Sequence, residues 1–166
     1  MMLTPAWISF LTLLLAGVAF ALEPNRYRIV SQQSSDHVLR YHGVHGRTLA
    51  YFKAGGVAEA NEWDASIDAN HPPGYVFRNV LMGRYLSYKL QEEHGLVILD
   101  TNTPTKWDVV PVGDNVHHTI RVPSNPLNLT LSVMPYMQSL PLPVGKLEKY
   151  AKASNQHFVF YLVKTT

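Results

Sequence analysis

Three stretches of this 166-residue chain follow one cadence. YRIVSQQSSDHVLRY from Tyr27, YVFRNVLMGRYLSY from Tyr75 and HTIRVPSNPLNLTLSV from His118 each open on Tyr or His. Each places Ile29, Phe77 or Ile120 two residues later, and each resumes further on at Leu39-Arg40, Leu86-Ser87 or Leu131-Ser132. An aromatic follows in a matching frame: Trp63 in NEWDAS, Trp107 in TKWDVV, Phe158 in QHFVFY. Between them lies a further run in each unit, RTLAYFK, GLVILD and, more weakly, GKLEKYA. Period-two alternation, β-branched and aromatic residues, and closely spaced Gly, Pro, Asn and Asp mark these runs as short strands. A strand-only unit recurring every 45–50 residues or so cannot bury its apolar face alone, so the three must share a core. The expectation is an all-β domain of twelve short strands in three four-strand units, with Trp63, Trp107 and Phe158 filling the common core. Helical periodicity is nearly absent, and only Val144 to Ala153 (VGKLEKYAKA) could form one or two turns.

The residues before Leu22 read differently. An apolar run from Trp7 to Phe20 ends in Ala19-Phe20-Ala21, the pattern of a secretory signal peptide with an A-x-A cleavage site. No Lys or Arg precedes the run, and an uncleaved anchor is the alternative. The chain is thus expected to divide into a leader over 1–21 and a single exported domain over 22–166. Nothing later is apolar enough to span a bilayer, so no membrane partner is expected once the leader is gone. The absence of cysteine excludes disulfides, zinc ribbons and thiol chemistry, which leaves stability to the core. The 14 basic and 12 acidic residues are scattered and form no block that would read phosphates, so no nucleic-acid partner is expected.

Catalytic and metal chemistry find little support. His42-x-x-His45 and His117-His118 are the close histidine pairs, and strand neighbours such as His117 and His118 point to opposite faces. His42 and His45 flank Gly43 in a turn with no third ligand placed beside them, so solvated histidines are expected rather than a metal site. No G-x-S-x-G elbow is present, Gly55-Gly56 reads as a turn rather than a phosphate cradle, and Glu92-Glu93 as a solvated turn. The chain is therefore expected to be no enzyme and to need no cofactor.

Twelve strands in three self-similar units resemble the β-trefoil, a six-stranded barrel capped by three hairpins. The Asn-x-Trp and Gln-x-Phe strands at Asn61 to Trp63 and Gln156 to Phe158 are similar to the Gln-x-Trp motif of ricin-B-type modules. An eight-stranded lipocalin is the competing barrel, but lipocalins carry an early Gly-x-Trp and no three-fold repeat. The ricin-B resemblance implies a secreted glycan-binding module, with a glycan or glycoprotein as partner. The family's pocket places an Asp after the Leu of the second strand, where this chain has Arg40, Ser87 and Ser132. Its stacking aromatic falls on Tyr51 in the first unit and near Tyr150 in the third, with Asn61, Asn155 and Gln156 as the polar candidates. Each has a structural alternative: Asn61 and Gln156 can hold loop backbone, and Tyr51 can pack across strands.

Cysteine-free trefoils that resemble this chain also include mycocypin-like protease inhibitors, and Kunitz-type trefoils act similarly through rigid loops. The proline-braced stretch from Met134 to Gly145 (MPYMQSLPLPVG) is the loop that would serve such a role against a protease. Asn128-Leu129-Thr130 is the N-glycosylation sequon, and a glycan on Asn128 would cover one lateral face of the third unit and put a ligand site elsewhere.

Overall fold

The computed structural model describes residues 22–41, 50–53, 55–70, 73–91, 94–100, 103–134 and 143–164. The leader, His42, His45, Glu92, Glu93 and the loop over 135–142 lie outside the described residues.

The first unit holds β1 (Asn25–Ser31), β2 (Leu39–Tyr41), β3 (Ala50–Phe52) and β4 (Trp63–Asp68). The second holds β5 (Gly74–Asn79), β6 (Tyr85–Gln91), β7 (His94–Asp100) and β8 (Asp108–Pro111). The third holds β9 (His118–Arg121), β10 (Leu129–Met134), β11 (Val144–Lys149) and β12 (Phe158–Leu162). Short 3-10 turns at Ala58–Asn61 and Ser154–Gln156 lead into β4 and β12. No described helix is long and apolar enough to cross a membrane.

The first and last strands of each unit close a ring. Antiparallel ladders join β1 to β4, β4 to β5, β8 to β9, β9 to β12 and β12 back to β1. The remaining step, β5 to β8, is made by Tyr75 and Trp107, whose backbone N–H groups each donate to the other's carbonyl at 2.8 Å. The middle strands pair as hairpins β2–β3, β6–β7 and β10–β11, and β11 also pairs with β7 and β3. Six strands thus form a barrel without an open edge, which removes the hazard of unpaired strand groups.

The repeat is visible in register. The residue opening each unit lies opposite its motif aromatic: Tyr27 opposite Trp63, Tyr75 opposite Trp107, His118 opposite Phe158. Two residues along from the openers, Ile29, Phe77 and Ile120 are fully buried, as are Leu39, Leu86, Leu131 and the three aromatics. The indole N–H groups of Trp63 and Trp107 donate to the carbonyls of Leu39 and Leu86, both at 2.9 Å. Phe158 has no such donor, so the third unit holds its ring by packing alone, stacked on Phe52 at 5.8 Å between centroids.

The segment from Val144 that could have been helical is a strand over its first six residues. Its Lys-Glu-Ala composition favours helix. As β11 it completes a six-residue ladder with β10. Gly145 permits the close approach: a Cβ there would lie 3.2 Å from Leu131, 3.3 Å from Val97 and 3.4 Å from Phe52, one side chain from each hairpin. Tertiary pairing outweighs local propensity at this point.

Truncating Phe158 to Ala should cost about 3–5 kcal/mol, as for other buried aromatics. Trp63→Phe and Trp107→Phe keep most of the packing but orphan a buried carbonyl, and should each cost roughly 1–3 kcal/mol. Equilibrium unfolding in guanidinium chloride measures both effects; near-zero values for both tryptophan variants would contradict the assigned indole bonds.

Candidate functional site

The residue after the second-strand leucine is Arg40, Ser87 or Ser132, and the three units use it in three ways. In the first, the Arg40 Nε donates to the Tyr41 carbonyl at 3.3 Å, and the guanidinium lies against Gly56, where a Cβ would be only 2.5 Å away. Gly56 takes φ +79, so both its backbone angle and its missing side chain make room for that cation. In the second, Ser87 Oγ accepts from Thr105 at 2.8 Å and donates to the Thr103 carbonyl at 3.3 Å. These polar groups satisfy one another and leave little for a ligand.

The third unit is different. Ser132 donates to Glu148 Oε2 at 2.6 Å and accepts from Asn155 Nδ2 at 2.8 Å. Asn155 also donates to the Val133 carbonyl at 3.2 Å, and Lys146 meets Glu148 Oε1 at 2.6 Å. Strand register explains the arrangement: Ser132 lies opposite Lys146, so Lys146 and Glu148, two residues apart, share one face of β11. The carboxylate beside Ser132 thus belongs to the neighbouring strand. Both Asn155 amide hydrogens are used internally, which leaves its carbonyl oxygen as an acceptor beside the Glu148 carboxylate.

Burial opposes ionisation of Glu148, but the hydrogen bonds from Lys146 and Ser132 and the Lys146 charge outweigh it and set its pKa below the ordinary 4.5. The acceptor is therefore an ionised carboxylate throughout the neutral and mildly acidic range. These residues open onto a cleft of about 680 Å³ lined by Lys146, Glu148, Lys149, Ala151, Ala153, Asn155 and Gln156.

The other expected site residues have other partners. Gln156 is buried and bridges its own loop, accepting from the Ala151 N–H at 2.8 Å and donating to the Lys149 carbonyl at 3.0 Å. Asn61, also buried, donates to the carbonyls of Gly55 and Val57 at 3.2 and 3.4 Å. Both therefore carry the loop-holding role. Tyr51 is only 4% exposed, set between Arg40 of β2 and Val144 of β11, and shows no ring face to a sugar. Tyr150 lies outside the cleft lining: its ring sits 4.7 Å from the Arg121 guanidinium and its hydroxyl 3.1 Å from His157 Nε2. The cleft consequently has no aromatic platform among the described residues.

The adjacent histidines diverge as strand alternation requires. His117 pairs with Asp114, whereas His118 is buried edge-on against Phe160. Among the described residues no three His, Asp or Glu side chains are placed to hold a metal. Asn128 is exposed at the end of β10, and its carbonyl accepts from the Tyr150 N–H at 3.2 Å. Sequence reasoning missed Lys146 and Glu148. The signal was the alternation Lys146-Leu147-Glu148, which puts both charges on one face only if the segment is a strand.

No protein-family model and no characterised sequence matches the chain. Among solved structures, a ricin B-like lectin from Macrolepiota procera in complex with lactose superposes with a TM-score of 0.68 at 16% identity. The match covers 84% of this chain and 96% of that one. The Rhizoctonia solani agglutinin gives 0.70 at 16% identity over 86% and 97% of the two chains. The designed three-fold symmetric protein ThreeFoil gives 0.64 at 16% identity over 83% and 99%. The fold is the β-trefoil. At these identities the likeness establishes architecture and leaves the use of each loop to the residues on it.

Burial, followed by the nearby His117 charge, lowers the His157 pKa below its ordinary 6.5, against an opposing pull from Asp114. A depressed histidine binds its proton less readily folded than unfolded, so its stability contribution is full above pH 6.5 and is lost as pH falls through the folded value. Thermal unfolding below pH 6.5 should therefore show a downward slope that His157→Gln flattens; parallel slopes for the two proteins would contradict it.

Proposed function

We propose that this protein is a secreted, non-catalytic carbohydrate-binding module of the lectin type, with its site in the cleft of the third unit. The observation that carries the reading is the Ser132–Glu148–Asn155 network, which puts an ionised carboxylate and a free amide oxygen at the mouth of one cleft. Sugar hydroxyls are good donors to such acceptors, and hydrogen bonds to a charged group contribute about 1.5–3 kcal/mol each. The lectin from Macrolepiota procera, which shares the fold, was solved with lactose bound, and this supports a saccharide as the ligand. Export through the leader over 1–21 would deliver the module to the extracellular space, where glycans are displayed.

The test is a glycan array followed by titration calorimetry on residues 22–166, made without a glycan on Asn128, because that residue lies within the third unit and a glycan there would compete with a ligand site in the same unit. Glu148→Gln should weaken saccharide binding about tenfold or more, the equivalent of one lost charge-assisted bond, and Asn155→Ala about threefold or more, that of one neutral bond. The carboxylate also predicts a pH dependence. Binding should hold as pH falls to 4.5 and weaken below it, as Glu148 takes up its proton. Silence across the array, or affinities indifferent to both substitutions, would refute this site.

A further inference from the structure

The third-unit cleft holds more positive charge than its internal pairing uses. Lys146 is committed to Glu148, and the pair is electrically neutral. Lys149 also lines the cleft, and Lys152 stands between Ala151 and Ala153, both lining residues. Neither Lys149 nor Lys152 forms an ion pair among the described residues, and both are exposed. One unneutralised lysine, Lys149, therefore lines a cleft whose one described lining carboxylate is already balanced, and a second, Lys152, stands in the chain between two lining residues.

Two further features fit this charge. The described lining carries no aromatic side chain, so a bound sugar gains little from ring stacking and must be held by polar and charged contacts. Lys152 also occupies the left-handed region at φ 57. In the first unit the turn before the matching 3-10 segment uses Gly55 and Gly56 at φ 96 and 79, the residue type that tolerates such angles. A lysine kept there is strained, and strain of this kind concentrates where a side chain has a task.

We propose that the cleft takes an acidic saccharide, with Lys149 and Lys152 meeting its carboxylate or sulfate while Glu148 and Asn155 accept from its hydroxyls. This rests on the saccharide reading of the same cleft and adds the ligand class. Lys146 cancels the Glu148 charge, so the acceptor needed for hydroxyls does not repel the anion. Ammonium groups act here as point charges with rotatable donors, which suits an anion of either geometry.

The test compares lactose with its sialylated and its sulfated counterparts by titration calorimetry on residues 22–166, at low and at high salt. At least one charged ligand should bind about tenfold tighter than lactose at low salt, and the advantage should shrink as salt screens it. A carboxylate-only or sulfate-only advantage identifies the anion. Lys149→Gln and Lys152→Gly should each reduce the advantage with an unchanged or higher melting temperature, since glycine suits the angle at 152. Equal affinity for charged and neutral ligands, or an advantage that survives both substitutions together, overturns the acidic preference. If lactose binds with the dependence on Glu148 described above and no acid gain appears, only this inference falls. If none of the three ligands binds, this inference falls, and the saccharide reading stands or falls on the array.

Discussion

The pairing of each unit's opening residue with its motif aromatic is the contact on which the remainder depends. Tyr27 with Trp63, Tyr75 with Trp107 and His118 with Phe158 set the register of three strand pairs at equivalent places around the barrel. A slip of one residue at any of them would turn a buried ring to solvent, because side chains alternate along a strand. The second of these pairs is also the seam that closes the ring between β5 and β8. One interaction, used three times, fixes both the core and the closure.

A scaffold fixed in this way frees the loops from structural duty, and the three units have used that freedom differently. The first fills its position with the Arg40 guanidinium laid on Gly56. The second ties Ser87 to Thr105 and Thr103. The third opens a cleft, and the carboxylate beside Ser132 comes from Glu148 on the neighbouring strand β11. The two meet because cross-strand neighbours on a shared face lie within side-chain reach.

The fold was legible because it depends on a pattern repeated three times. Openers, leucines and motif aromatics recur in sequence, and each fell in the core as that recurrence implied. The site was less legible because its parts meet only through strand register. Ser132, Glu148 and Asn155 come from β10, β11 and the turn before β12, and nothing local links them. Glu148 also lies in a Lys-Glu-Ala segment that reads only weakly as a strand, so the face it shares with Lys146 stands out poorly in sequence. Tyr51 and Tyr150 were sought for their chemistry, but burial decides the first and a partnership with Arg121 and His157 decides the second.

The most direct measurement is chemical-shift mapping of the backbone amides of residues 22–166 during titration with a saccharide from the array. Perturbations should cluster at Ser132, Glu148, Lys149 and Asn155, with the matching positions Arg40 and Ser87 left unmoved. Perturbations centred on the first unit, or on the groove formed by Arg28 and Tyr161 to Lys164 on the barrel, would contradict it.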